Sequence, residues 1–229
     1  MNRIVQPEIL DTLPPLDPRA VGSRKDLRRL NHLMRNHQVM ARALKNFDHG
    51  SAPKKITELG SGDGNFMLRV AQEIFPPWAD ASVTLLDLQK NVAPETLNDF
   101  AAIGWRTEVV VADVFDWLKT SETNGVIIAN LFLHHFDSAR LAEMLRLISR
   151  RAALFIALEP HRSAWPLFCS RLSWALGCNE VTRHDAVVSV RAGFCGNELS
   201  ALWPNRVNWE LTERRTEMFS HFFSARKIC

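Results

Sequence analysis

The sequence predicts an open α/β fold, a mostly parallel sheet covered on both faces by helices. Three observations carry this. Short apolar runs alternate with helical patterns from residue 55 to about 158, as parallel strands joined by crossover helices do. A glycine-rich turn, Gly60-Ser61-Gly62-Asp63-Gly64, stands at the first change from strand to helix. Near the end, two strand-like runs joined by a short polar link predict an antiparallel hairpin. With 229 residues, 46% hydrophobic and 23% charged, the chain is neither disordered nor a fibrous repeat.

In chain order, residues 1–22 are Pro-rich and irregular, and Ser23 with Asp26 suggests a helix start in a weak capping box. Leu27, Leu30, Leu33/Met34, Val39/Met40 and Leu44 then keep helical spacing to about Phe47, before Gly50-Ser51-Ala52-Pro53 breaks the chain. Strands are expected at Lys55–Leu59, Ala81–Leu86, Thr107–Ala112, Gly125–Leu131 and Ala152–Leu158. Helices are expected near Asn65–Ile74, Pro94–Ala102, Val114–Leu118 and Ser138–Arg150. Residues 161–205 read as helical segments, with Trp165, Phe168, Leu172, Trp174 and Leu176 as an apolar stripe. Val207, Trp209 and Leu211 alternate as a strand, Glu213–Thr216 is a polar break, and Met218–Ile228 is a last strand.

The organisation follows: a lead-in and helix over 1–50, a core over 51–160, a helical substrate-side insert over 161–205, and a hairpin of the same sheet over 206–229. No run approaches the roughly 18 apolar residues of a membrane span, and the N-terminus lacks the apolar core of a signal peptide. Cytoplasmic location is therefore the expectation. Cys169, Cys178, Cys195 and Cys229 form no CxxC pair, so neither a disulfide framework nor a metal site is expected.

Net charge is +3, distributed unevenly. Residues 1–57 carry 11 basic and 5 acidic groups, residues 58–160 carry 8 and 14, and residues 161–229 carry 9 and 6. The basic residues at 24–35 interleave with leucines, which reads as the solvated face of an amphipathic helix rather than a nucleic-acid footprint.

Glycines after a strand allow a tight turn and let a ligand approach main-chain N–H groups. In an open parallel sheet, a ligand crevice forms at this strand end. Asp87 ends the second strand, placed to accept hydrogen bonds from ribose hydroxyls. Asp113 ends the third, where an acid often lies near an adenine amino group. A strand-end acid alone is unremarkable in solvent, but Glu58, Asp87 and Asp113 in order are harder to ascribe to chance.

Glu58-x-Gly60-x-Gly62-x-Gly64, the two later acids and the terminal hairpin resemble the class I S-adenosylmethionine-dependent methyltransferases. The resemblance implies a Rossmann-like, seven-stranded sheet and S-adenosyl-L-methionine as cofactor. It places Glu58 near the methionine amino group, Gly60, Ser61 and Gly62 under the cofactor, and Asp87 with Leu88 at the ribose. Asp113 with Val114 would flank the adenine, and Asn130 and Leu131 would lie beside the cofactor. The rival is an NAD(P)-dependent oxidoreductase, but its G-x-G-x-x-G spacing differs from this loop. A cofactor-binding subunit without catalysis is a further alternative.

Asn130-Leu131-Phe132-Leu133-His134-His135-Phe136 is similar to the strand-four segment of quinone-biosynthesis and related small-molecule methyltransferases. His134 or His135 is a candidate base for a protonated acceptor; the same pair would also serve as a helix cap or as packing. Amide methyltransferases of nucleic acids and proteins carry Asn/Asp/Ser-Pro-Pro-aromatic after strand four, which this chain lacks. Phe75-Pro76-Pro77-Trp78 has that look in the wrong place and reads as a helix terminator. An RNA methyltransferase is thus the lesser alternative, and no nucleic-acid partner is expected. Residues 182–194 are similar to a segment of bacterial methyltransferases of polyketide or phenolic metabolism. A substrate pocket with His161, Arg183, His184 and Arg191 beside Trp165 and Trp174 would suit an aromatic hydroxyl or acid with an apolar tail. Thr182 and Asp185 as helix caps with surface arginines fit those residues equally. The expectation is methyl transfer to oxygen or carbon of a phenolic, quinone-like or polyketide-type small molecule, with oligomeric state open.

Overall fold

The computed structural model describes residues 1–47, 55–74, 78–121 and 125–228. The chain opens with a short helix α1 (Ile9–Thr12), then α2 (Pro18–Met34) and α3 (Asn36–Phe47). The alternating core runs β1 (Lys55–Leu59), α4 (Asn65–Glu73), β2 (Ser82–Asp87), α5 (Pro94–Ala102), β3 (Arg106–Val111) and α6 (Val114–Thr120). It continues with β4 (Val126–Asn130), α7 (Ser138–Arg151) and β5 (Leu154–Pro160). The last part contains α8 (Ala164–Arg171), α9 (Glu180–Ala192), α10 (Glu198–Leu202), β6 (Trp209–Thr216) and β7 (Ser220–Lys227).

All seven strands form one sheet in the order β3-β2-β1-β4-β5-β7-β6. β1 to β5 are parallel, whereas β7 runs antiparallel to both β5 and β6. The chain walks outward from β1 to β3, then returns to pair β4 with β1. That reversal opens a crevice above the β1 and β4 carboxyl ends.

Strand periodicity of two builds two cores. Ile56, Ile128, Ile156 and Phe222 face α3, α4 and α5, meeting Met40, Leu44, Met67, Val70 and Phe100. Ile127, Ala129, Phe155 and Phe223 face the other layer, meeting Leu141, Met144, Leu145 and Ile148 of α7, with Leu199 and Trp203. Strands buried on both faces have no polar side, which is why they read as unbroken apolar runs.

Two expectations from the sequence are corrected. The first long helix is capped not by Ser23 but by Asp17, whose carboxylate accepts the Arg19 N–H at 2.8 Å with Pro18 at the first position. Ser23 and Asp26 lie inside it and are buried because they face α9. The Asp26 carboxylate accepts the Asn179 N–H at 2.8 Å and the Thr182 hydroxyl at 3.1 Å. The helix also does not run unbroken to Phe47. Arg35 adopts φ 55 and turns Asn36 into the sheet, where its amide donates to Asn130 Oδ1 at 3.1 Å and its carbonyl accepts from Ser220 Oγ at 2.6 Å.

The second correction is at the hairpin. Glu213–Thr216 is strand, paired with Ser220–Phe223, and the turn lies at 217–219. Val207 precedes the strand and is almost fully exposed. Glu213 faces inward because its carboxylate accepts the Leu199 and Ser200 N–H groups at 3.0 and 2.7 Å and meets His221 Nε2 at 2.8 Å. A polarity pattern does not reveal an acid satisfied inside. The breaks expected at 50–53 and at residues 75–77 fall outside the described residues. No helix among the described residues is long and apolar enough to cross a membrane.

The segment after α9 seats against the end of β5. The Phe194 N–H donates to Pro160 O at 2.9 Å, and a side chain at Gly193 would place Cβ 2.2 Å from that same oxygen. Gly193→Ala is therefore expected to cost about 2–3 kcal/mol in urea denaturation. Gly196→Ala, with φ +61 but open space, should cost about 1 kcal/mol; equal losses would refute the close-packing explanation.

Candidate active site

The crevice begins with Glu58, next to the last residue of β1 and 2% exposed. Its Oε2 is buried and has no hydrogen-bond partner. Burial, and then the nearby Asp63 and Asp87 carboxylates, hold its pKa well above the usual carboxylate range. After it, Gly60 and Gly62 take φ +67 and +55. Gly60 lies so close to Phe132 that a Cβ would stand 2.2 Å from the ring, whereas nothing lies within 4 Å of one at Gly62. Ser61 Oγ is buried and also unpartnered. The turn thus offers two unused polar groups beside glycines without side chains, while its Ser61 and Gly62 N–H groups are bonded to Leu86 O and Asp87 Oδ2.

Asp87 at the end of β2 braces this turn. Its Oδ2 accepts the Gly62 N–H at 2.9 Å and its Oδ1 the Gln89 N–H at 2.8 Å. Leu88 beside it is exposed. Asp113 caps α6, its Oδ1 accepting the Phe115 and Asp116 N–H groups at 2.7 and 3.3 Å, with Val114 buried next to it. Asn130 ends β4, and Leu131 leaves it at φ 52. All these residues line one cavity of about 650 Å³. Its opposite wall comes from Leu27, Leu30 and Met34 of α2 and from Thr182, Asp185, Ala186 and Ser189 of α9.

The two histidines have different surroundings. His134 is buried, with Nδ1 2.8 Å from Glu159 Oε2 and Nε2 3.2 Å from Glu8 Oε1. Burial alone would lower its pKa, but the hydrogen bonds and charges of Glu159 and Glu8 outweigh it and raise the value to about 9. Burial likewise opposes ionisation of Glu8, yet the His134 contact brings its pKa down to about 2. A doubly bonded imidazolium has no free nitrogen to take a proton, so His134 is corrected from candidate base to fixed charge. His135 lies at the cavity wall, partly exposed, with Nδ1 3.1 Å from Asp11 Oδ2. Glu8, His134 and His135 each offer a metal-ligating atom, all within 4.8 Å of one another, but His134 Nδ1 is already bonded to Glu159 and its Nε2 to Glu8.

The four substrate residues expected from sequence do not gather at the cavity. The His161 ring stacks on His221, centroids 5.9 Å apart. Arg183 and His184 are exposed, His184 Nδ1 lying 2.9 Å from Asp185 Oδ1. Arg191 is half-buried, and its carbonyl accepts the Ile4 N–H at 3.1 Å. The reason is helical phase. Residues 182, 185, 186 and 189 of α9 share the inward stripe, which leaves 183 and 184 outside. Trp165 and Trp174 also point away from the cavity and are exposed.

The N-terminal segment, which carried no pattern, supplies Glu8 and Asp11. It is tied across the site by Ile9 and Leu10 N–H groups donating to Asp185 at 2.9 and 3.0 Å. Arg3 donates to the Ala192 and Phe136 carbonyls at 2.7 and 2.8 Å.

A glycine turn over an unsatisfied carboxylate, followed by acids at the end of β2 and the start of α6 around one cavity, lies at the strand ends where an open α/β sheet forms its ligand crevice. Residues 56–153 match the family model described as "Methyltransferase domain". Over those residues the chain is similar to a methyltransferase domain, and its sheet is the seven-stranded Rossmann-like fold of the class I methyltransferases. Among solved structures, the plantazolicin methyltransferase BpumL in complex with SAH superposes with a TM-score of 0.66 at 11% identity, covering 93% of this chain and 91% of that one. A putative O-methyltransferase from Nostoc punctiforme gives 0.61 at 17% identity, covering 99% and 64%. Magnesium protoporphyrin IX methyltransferase from Synechocystis with bound SAH gives 0.56 at 12%, covering 87% and 84%. At such identities the likeness is one of fold. No curated protein sequence matches the chain.

The charge network sets a pH dependence. The folded pKa of His134, about 9, lies above its ordinary 6.5. Its stabilisation is full below about 6.5 and is lost as pH rises through about 9. Glu8, at about 2 against 4.5, contributes fully above about 4.5 and loses this as pH falls through about 2. The thermal midpoint of the wild type should drop between about pH 8 and pH 10. His134→Gln should start lower and show a smaller drop; an unchanged drop would refute the assignment.

Proposed function

We propose that the protein transfers the methyl group of S-adenosylmethionine to oxygen or carbon of a small phenolic, quinone-like or polyketide-type acceptor. The observation that carries this reading is the unpartnered Glu58 carboxylate beneath the glycine turn, in the same cavity as the His135–Asp11 pair. When bound, the cofactor supplies an electrophilic methyl on a sulfonium sulfur.

In this reading, Glu58 and the turn Gly60–Gly62 receive the amino-acid end of the cofactor. Asp87 retains acceptor capacity beyond its two backbone bonds and takes the ribose hydroxyls. Asp113 and Val114 border the adenine, with Asn130 and Leu131 alongside. Catalysis rests mainly on holding the acceptor in line. Asp11 orients the His135 imidazole through Nδ1, leaving Nε2 to remove the acceptor's hydroxyl proton. His134 does not titrate in the working range and holds the turn that carries His135. Leu27, Leu30, Met34 and Phe132 give the acceptor an apolar wall that limits water. The solved structures named above support the coarser class, a small molecule or natural product as acceptor, since plantazolicin and magnesium protoporphyrin IX are the molecules in their descriptions.

Asp87→Ala is expected to stay folded by thermal melting while its affinity for S-adenosylhomocysteine falls by about tenfold to a hundredfold in calorimetry. Unchanged affinity would remove Asp87 from the site. With a panel of phenols and quinols as acceptors, methylated product is expected by mass spectrometry. His135→Gln should lower kcat by about 10²–10⁴ while cofactor affinity is retained. Full activity in that variant would exclude His135 as the base.

A further inference from the structure

The apolar stripe of residues 165–176 is not absorbed by the core or by the cavity. Trp165, Phe168, Leu172, Trp174 and Leu176 are between 40% and 59% exposed. They lie on α8, on the 3₁₀ turn Ser173–Leu176 that follows it, and at Leu172 between the two. Trp165 and Phe168 stack with centroids 6.0 Å apart, and Leu172, Trp174 and Leu176 follow them as exposed apolar side chains within residues 165–176. An exposed apolar patch of this kind marks a surface that meets an apolar partner.

Two further observations say what the partner is. The first is continuity with the cavity. Pro166, Cys169, Ser170 and Ser173 of the same segment line the cavity on its inner side. Leu176 belongs to both the exposed patch and the cavity wall, as does Leu33 of α2, which is 63% exposed. The patch therefore runs into the mouth of the site. The second is charge. Arg171 ends α8 and is exposed, and Arg183 is exposed on α9, which packs against α8 and the 3₁₀ turn. On α2, which packs here through the Asp26–Asn179 hydrogen bond, Arg29 is exposed but paired with Asp26. Glu180 is the exposed acid on this side.

We propose that this face docks on the surface of an anionic phospholipid bilayer, with Trp165, Phe168, Trp174 and Leu176 entering the headgroup boundary. Arg171 and Arg183 meet the lipid phosphates, and the cavity mouth opens at the membrane. Tryptophans and leucines rimmed by arginines are the side chains such a boundary accepts. A second copy of the chain fits this face less well. Twofold pairing sets each patch against its own copy, bringing like-charged arginine rims together in a drying interface. An acceptor with an apolar tail would then pass from bilayer to cavity without crossing water. The docking proposal goes beyond the proposed methyl transfer and does not depend on it.

The test is flotation of the full chain with vesicles of phosphatidylglycerol and phosphatidylcholine in equal parts, against phosphatidylcholine alone. The wild type is expected to float with the anionic vesicles and to release with added salt. Trp165→Ser with Trp174→Ser should lower the vesicle partition coefficient by about tenfold or more, with an unchanged thermal midpoint showing that the fold is kept. Arg171→Glu with Arg183→Glu should remove the preference for anionic lipid. A wild type that stays in solution with anionic vesicles overturns the proposal. So does a wild-type dimer that the double Trp variant converts to monomer while vesicle binding is unaltered.

Discussion

The Glu159 carboxylate is the contact on which the geometry of the cavity depends. It is fully buried at the end of β5 and accepts the Phe132, Leu133 and His134 N–H groups at 3.0, 2.8 and 3.3 Å. It also holds the His134 ring, which reaches on to Glu8. A buried carboxylate without such partners would be strongly disfavoured, and breaking a buried pair typically costs about 3–5 kcal/mol. The turn after β4 is therefore bound to β5 on one side and to the N-terminal segment on the other. That fixes where Leu131, Phe132 and His135 face, and sets Phe132 against Gly60.

The site divides into halves with different physical demands. Along β1, β2 and β3, backbone and carboxylates form a polar floor suited to a nucleoside and an amino-acid moiety. On the α2 and α9 side the wall is mainly apolar, as an acceptor pocket requires. His135 and Asp11 stand between the two. The first half belongs to the sheet and its crevice, while the second is assembled from segments far apart in the chain.

That division explains what the sequence makes legible. The alternation of strands and helices from β1 to β5 follows from local periodicity, and so do the positions of Glu58 and Asp87 at strand ends; Asp113, expected to end β3, instead lies two residues past it as the cap of α6. The acceptor side is less readable. Glu8 and Asp11 acquire meaning only when the N-terminal segment crosses the site and reaches Asp185, Ser189 and the histidines. His134 and His135 are adjacent and chemically alike, yet one is sealed between carboxylates and the other stands at the cavity, a difference set by long-range packing. Arg183 and His184 were misplaced by the phase of α9, and the Glu213 strand by a buried acid with satisfied hydrogen bonds.

Calorimetric titration of the wild-type chain with S-adenosylhomocysteine and, separately, with NAD and NADP tests the central claim most directly, that this crevice is built for a sulfonium nucleoside cofactor. The account predicts saturable one-to-one binding of S-adenosylhomocysteine and none of the nicotinamide dinucleotides. Binding of NAD or NADP with no heat from S-adenosylhomocysteine would contradict it.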